Sequence, residues 1–165
     1  MAVRSAKHDS STALRHLEDM KRVHDLPEFQ NDMFTSTGLM KPVMVITCDG
    51  GPDENPRYQK KIACAINYFC KFDLNAMCVA TNAPGRSAYN RVERRMAPLS
   101  HDLAGLILPH DHFGTHLDSQ GRTTDRELEL SNFEHAGKIL ADIWSKTVID
   151  GNPVVAEYIP PYENQ

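Results

Sequence analysis

The chain has 165 residues, which is enough for one hydrophobic core and too few for several large domains. A hydrophobic fraction of 41% and a charged fraction of 24% are ordinary for a soluble globular protein, and the formal net charge of −4 excludes a uniformly basic nucleic-acid-binding module. No run of residues approaches the roughly 18 apolar positions of a membrane span, and the N-terminus lacks a secretion signal. We therefore expect a soluble, intracellular protein, nuclear or cytoplasmic, with no membrane partner.

The first segment, residues 1–40, is predicted to hold one helix and a loop. Residues 1–10 are polar, so we expect a frayed end. After Ser10 and Ser11, apolar side chains recur at helical spacing to about Leu26, which predicts an amphipathic helix. Pro27 ends this helix, and the residues after it have the composition of a loop.

The second segment, residues 41–108, contains the strongest pattern in the chain. Pro42–Cys48 is a short apolar, β-branched run that predicts a buried strand, and a second strand is predicted over Ala76–Thr81. The stretch between them, Tyr58–Phe72, has one apolar helical face. Because a strand, a helix and a strand in this order usually form a parallel crossover, we expect both strands in one sheet.

Polar residues follow both predicted strands. Asp49 comes directly after the first strand and is followed by Gly50, while a loop after the second strand leads into a helix predicted over residues 87–96. That helix carries Asn90 and Glu93 on one face. Because the carboxyl ends of parallel strands meet at one edge of a sheet, we expect the carboxyl carbons of Asp49 and Glu93 within about 10 Å.

These features resemble the catalytic core of the DDE transposases and integrases, a family with a ribonuclease H-like fold. The resemblance rests on Asp49-Gly50-Gly51 at a strand end and on a later Pro-containing loop that leads into Asn90-Arg91-Val92-Glu93. Residues 51–57 and 90–96 are also similar to chains described as transposon-derived in animal genomes. The resemblance covers about residues 41–100 and implies an α/β fold, a partial ribonuclease H-like fold with a short, mostly parallel sheet and flanking helices.

The resemblance also implies a chemistry, which is phosphodiester transfer assisted by two divalent cations, Mg²⁺ or Mn²⁺. Asp49 and Glu93 would be the catalytic and metal-binding carboxylates, since Mg²⁺ prefers oxygen ligands, and Asn90 and Gly50 would support them. The family needs another Asp on an earlier strand, and every acidic residue before Asp49 lies in the predicted helix or in polar loops. We therefore expect a transposase remnant that is inactive by itself, although its full-length ancestor was active.

Two kinds of partner are expected for this remnant. DNA is the first, bound weakly through the one dense group of positive charges, namely Arg86, Arg91, Arg94 and Arg95. The second is another protein strand, because a sheet without its first hairpin exposes unpaired edges. Either a second copy of the chain or a partner chain would complete the sheet.

The third segment, residues 109–165, is predicted to hold a loop, a long helix and a tail. The loop contains His110, His112 and His116, three imidazoles that would suit Zn²⁺ with an open position for water. A metal-dependent hydrolase that uses this loop is therefore an alternative to the transposase remnant. A further alternative is a non-enzymatic α/β module that binds DNA or protein and whose carboxylates are structural.

Overall fold

A computed structural model describes residues 1–48, 50–51, 54–82 and 91–161. The chain divides into two compact units, and the first, Ser11–Asn90, is continuous in sequence and is called the crossover unit below. The second, called the long-helix unit, joins Met1–Ser10 to Arg91–Gln165. The three segments expected from the sequence stay a prediction.

The described residues form a mixed α/β structure with short strands, as the sequence indicated. In chain order, its elements are β1 (Ala2–Val3), α1 (Ala13–Val23), a 3₁₀ turn (Pro27–Phe29), α2 (Gln30–Met33), β2 (Val43–Cys48), α3 (Gln59–Lys71), β3 (Ala76–Thr81), α4 (Arg91–Arg95), α5 (Ala97–His101), α6 (Arg126–Trp144), β4 (Val148–Ile149), β5 (Asn152–Pro153) and β6 (Glu157–Tyr158). The strands pair two by two. The pairs β1–β6 and β2–β3 are parallel, and β4–β5 is antiparallel.

The crossover unit contains the predicted strand, helix and strand. β2 and β3 lie parallel and in register, with Val43 opposite Ala76 and Cys48 opposite Thr81, and α3 connects them. The prediction of two strands joined by a helix in one parallel sheet is therefore confirmed. The bounds of all three elements differ from the predicted ones by one residue at most.

One face of this sheet carries the core of the crossover unit. Leu17 of α1 and Tyr68 of α3 are buried there, and Met44 and Met77 of the two strands pack against them. On the opposite face, Val43 is 58% exposed and Val45 is 64% exposed. Strand β2 is thus apolar on both faces, a composition typical of a strand covered on both sides, although the described residues cover only one.

The long-helix unit is built on the pairing of β1 with β6, whose register places Ala2 opposite Glu157. Ser5 and Asp9 are buried, so the expectation that residues 1–10 are frayed is wrong. A strand of two residues is too short to produce a detectable period of two, and its partner lies at the other end of the sequence. Neither β1 nor its pairing with β6 can therefore be predicted from neighbouring residues in the sequence.

Helix α6 packs against β1 and β6. The side chain of Asp125 caps it, accepting a hydrogen bond from Leu128 N at 3.0 Å. Within this one continuous helix, Ser131 Oγ donates to Glu127 O at 3.0 Å. In the described part of the chain, no helix combines the length and the apolar character needed to cross a lipid bilayer.

Candidate functional site

The carboxyl ends of β2 and β3 lie side by side. Cys48 pairs with Thr81 at the last position of both strands, and Asn82 N donates to Cys48 O at 3.2 Å. The chain therefore leaves the two strands at the same edge of the sheet. Asp49, which follows Cys48 in the sequence, lies outside the described residues.

Gly50 is positioned closely against the end of β3. Its φ is +83°, a left-handed value that favours glycine. A Cβ added there would lie 3.3 Å from Thr81 Cβ, closer than ordinary van der Waals contact. Two independent constraints therefore select glycine directly after Asp49.

The loop beyond Gly50 folds back towards the end of β2. Asn55 Nδ2 donates to Gly50 O at 3.3 Å, and Glu54 N donates to Gly51 O at 3.0 Å. Cys48 Sγ donates to Glu54 O at 3.3 Å. These contacts connect the backbone of the loop to the sheet edge.

Glu93 belongs to α4, an exposed helix of the long-helix unit. Met96 follows α4, and α5 has Pro98 in its first turn. Asn90 and Arg86 lie outside the described residues, as Asp49 does. The proximity of Asp49 and Glu93 therefore stays a prediction.

The basic residues of α4 differ in their surroundings. Arg91 and Arg94 are exposed, whereas Arg95 Nη1 forms an ion pair with Asp150 Oδ2. Both members of that pair are about half exposed, so its contribution to stability is small. The pair nevertheless offsets part of the positive charge available to a phosphate.

The three histidines of the predicted loop have separate environments. His116 is buried, and its Nδ1 lies 3.1 Å from Asn132 Nδ2, whereas His110 is exposed. His112 stacks on His135, with ring centroids 3.7 Å apart. Within the described ranges, no three His, Cys, Asp or Glu side chains converge as a metal-binding group.

Asn132 organises this loop and was not recognised in the sequence. Its side chain is fully buried in α6, where Oδ1 accepts from Phe113 N at 2.9 Å and Nδ2 donates to Gly114 O at 3.0 Å. With its contact to His116, this amide satisfies polar groups of the loop that would otherwise be buried without partners. An isolated Asn in a helical pattern gives no such signal.

A buried polar cluster was also missed. Ser5 Oγ lies 2.7 Å from His8 Nδ1, and His8 Nε2 lies 3.7 Å from Glu129 Oε2. The other carboxylate oxygen, Glu129 Oε1, pairs with Lys7 Nζ and accepts a hydrogen bond from Thr123 Oγ1 at 3.2 Å. Ser5, Lys7 and His8 lie in the stretch expected to be frayed, and Thr123 and Glu129 lie more than a hundred positions along the chain.

Ser5 also lines a cavity of about 280 Å³ in the long-helix unit. Most of the wall is apolar. Its apolar residues come from the first six residues, from a loop and from α6, namely Val3, Ala6, Leu108, Pro109, Phe133, Ala136, Gly137 and Leu140. Arg4 also lines the cavity, and its charge is offset by Asp9, whose Oδ2 lies 3.0 Å from Arg4 Nε. The cavity therefore suits a small, uncharged, apolar group.

Comparison of the chain with protein-family models, with curated proteins and with solved structures finds no match.

Proposed function

We propose that the chain is a remnant of a DDE-type transposase or integrase core with a partial ribonuclease H-like fold. The single observation that carries the proposal is the edge where β2 and β3 end together, with Gly50 held against Thr81. In open α/β sheets, functional residues cluster at the carboxyl ends of the strands. Asp49 follows β2 directly in the sequence, so this edge is where the proposed carboxylate belongs.

The proposed ligands are chosen by their chemistry. Asp49 and Glu93 would hold Mg²⁺ or Mn²⁺ through carboxylate oxygens, and Asn90 would support a bound water or phosphate oxygen. When bound, such cations supply electrostatic stabilisation of a phosphodiester in displacement reactions. Glu93 lies in α4, whose residues are exposed.

The remnant is proposed to be inactive by itself. Two carboxylates cannot fix a pair of cations, and the acidic residues before Asp49 do not end a strand in the sequence. In the described structure β2 pairs with β3 and with no earlier strand. A partner strand, from a second copy or from another chain, would complete both the sheet and the carboxylate set.

Cation binding is the experiment that tests this function without requiring catalysis. We expect Mn²⁺ to raise the thermal midpoint of the wild-type protein by mass action and to have no such effect on Asp49→Ala. Asp32→Ala is the matched control, since it removes an exposed carboxylate from the same unit. An equal response of Asp49→Ala and the wild-type protein would contradict the proposal.

The exposed apolar face of β2 favours a second candidate, which is a non-enzymatic interaction module. Val43 and Val45 are both more than half exposed, and a partner that buried them would gain apolar contact area. Light scattering of the purified protein tests this candidate. A stable assembly that Val45→Lys dissociates, together with no response to Mn²⁺, would favour the module over the transposase remnant.

A further inference from the structure

We propose that Ser5 is a nucleophile that accepts the acyl group of a small uncharged ester, with His8 as its general base. The juxtaposition that carries this inference is a serine that lines an apolar cavity and whose hydroxyl is hydrogen-bonded to an imidazole that faces a buried carboxylate. Serine is a weak nucleophile unless an adjacent base removes its proton. The proposal is independent of the transposase remnant, which concerns other residues.

The direction of the hydrogen bond follows from the surroundings of His8. Its Nε2 is buried and has no hydrogen-bond partner among the described residues, while Glu129 Oε2 lies 3.7 Å away. A proton on Nε2 places the positive edge of the ring towards the carboxylate. Nδ1 is then the acceptor, and Ser5 Oγ–H donates to it at 2.7 Å, which is the arrangement that general-base catalysis requires.

Glu129 is the positioning residue. Burial alone would raise the pKa of this carboxyl, but hydrogen bonds from Lys7 and Thr123, with the charges of Lys7 and His8, hold the pKa below its usual value. Lys7 and Thr123 both contact Oε1, so Oε2 remains directed at the ring. The ionised carboxylate therefore stabilises the imidazolium that forms when His8 takes a proton.

The cavity defines the substrate class. Its wall places Phe133 and Leu140 of α6 near Ser5, and the His8 ring meets Phe133 edge-on, with centroids 4.9 Å apart. The charge of Arg4 is offset by Asp9. A volume of about 280 Å³ lies near the lower end of small-molecule sites, so short acyl chains are preferred.

The reaction transfers the acyl group from the ester to Ser5 and then to water. Ser5 Oγ forms a bond to the ester carbonyl carbon while its proton passes to His8 Nδ1. The bond between that carbon and the alcohol oxygen then breaks, and the alcohol leaves with the proton from His8. Water repeats the same sequence on the acyl-serine and releases the acid.

p-Nitrophenyl butyrate tests the step on the full chain. We expect release of p-nitrophenolate and a butyryl adduct on Ser5, located by peptide mass spectrometry, in the wild-type protein and in Ser10→Ala. Ser5→Ala should lose the adduct, and His8→Gln should form it about 100-fold more slowly, the lower range of general-base contributions. Ser10 is the matched control because it is exposed in the same segment.

The wild-type protein decides the question even where a variant fails to fold. Acylation of Ser5 no faster than of exposed Ser10 in the same molecules would overturn the proposal. So would unchanged acylation in a folded His8→Gln variant. Leu140→Trp should fill the cavity and block the butyrate ester while leaving Ser5 and His8 in place, and unimpaired acylation in that variant would exclude the cavity as the substrate site.

The role of Glu129 has its own readout. Glu129→Gln keeps the size and a hydrogen-bonding oxygen but removes the charge opposite His8. We expect the acylation rate at saturating ester to fall about tenfold, with the half-saturating ester concentration unchanged. A purely structural defect would distort the cavity and raise that concentration, and this result would contradict the positioning role.

Discussion

The Tyr68 hydroxyl and His24 Nε2 share a hydrogen bond in the core of the crossover unit. Tyr68 is fully buried, and the ring of His24 stacks on Phe72 with centroids 4.1 Å apart. Burial lowers the pKa of His24 below its usual value of 6.5, although the charge of Asp25 raises it partly and that of Lys71 lowers it further. Burial also raises the pKa of Tyr68 to about 12.

The lowered pKa of His24 predicts acid sensitivity of the crossover unit. Because the unfolded chain binds a proton at higher pH than the folded chain does, the contribution is complete above pH 6.5 and is lost as the pH falls through the folded pKa. Urea unfolding followed by NMR of α3 amides should give a smaller free energy of unfolding at pH 5.5 than at pH 7.5. His24→Gln should remove most of this difference, and His101→Gln, an exposed control, should leave it unchanged.

The raised pKa of Tyr68 predicts that the crossover unit loses stability at alkaline pH. The unfolded chain loses the phenol proton near pH 10, so stability is complete below that value and falls as the pH rises towards about 12. Tyr68→Phe should abolish this alkaline loss and cost about 1 kcal/mol at pH 8 through the missing hydrogen bond. An alkaline loss of the same size in Tyr68→Phe would show that another group causes it.

Replacement of Gly50 should be more costly than replacement of Gly38. Both residues have φ near +80°, so alanine at either position costs about 1–2 kcal/mol in backbone strain. Gly38 has open space around it, whereas a Cβ at Gly50 meets Thr81. The difference in free energy of unfolding between Gly50→Ala and Gly38→Ala therefore measures the cost of the contact with Thr81. Equal losses in both variants would show that Thr81 shifts at no cost.

Gly137→Ala should reverse the usual effect of this substitution in a helix. Alanine normally stabilises a helix interior by about 1 kcal/mol relative to glycine. Gly137 lies against the ring of Tyr158, and an added Cβ would overlap that ring. We expect a loss of about 1–3 kcal/mol, measured by the fluorescence of Trp144 during unfolding. A gain in stability would mean that Tyr158 moves away at little cost.

DNA binding should depend on α4. Three or four phosphate contacts predict a log–log salt slope of about −3 to −4, which should become flatter when Arg91, Arg94 and Arg95 are replaced together. Lys61 is buried, so a control of equal charge is the replacement of exposed Arg57, Lys60 and Lys71. Fluorescence anisotropy at low salt should show binding lost in the first variant and kept in the second. Equal binding by both variants would identify the α4 arginines as ordinary surface residues.

Local sequence patterns are sufficient where an element is long and its partner is near. Strands β2 and β3 are joined by the regular pattern of α3, so the pairing of Val43–Cys48 with Ala76–Thr81 follows from the order of apolar runs in the sequence. The start of α1 is also readable, because Thr12 caps it and Arg15 N donates to Thr12 Oγ1 at 3.2 Å.

Contacts between distant parts of the sequence could not be predicted. The burial of Ser5 and Asp9 depends on β6 and α6. No local pattern in the sequence predicts the pairing of residues 3 and 158. The fully buried Asn132 is a similar case, since its function is to satisfy the backbone of a loop. A window of neighbouring residues contains neither partner.

The pairing of β1 with β6 has a consequence for folding during synthesis. The crossover unit is continuous from Ser11 to Asn90, so all of its contacts are available once that stretch has left the ribosome. Ala2 and Val3, although made before the crossover unit, cannot pair until Glu157 and Tyr158 have been made, and closing a loop of that length has an entropic cost. Until then β1 lacks its partner strand, so we expect the long-helix unit to form after the crossover unit.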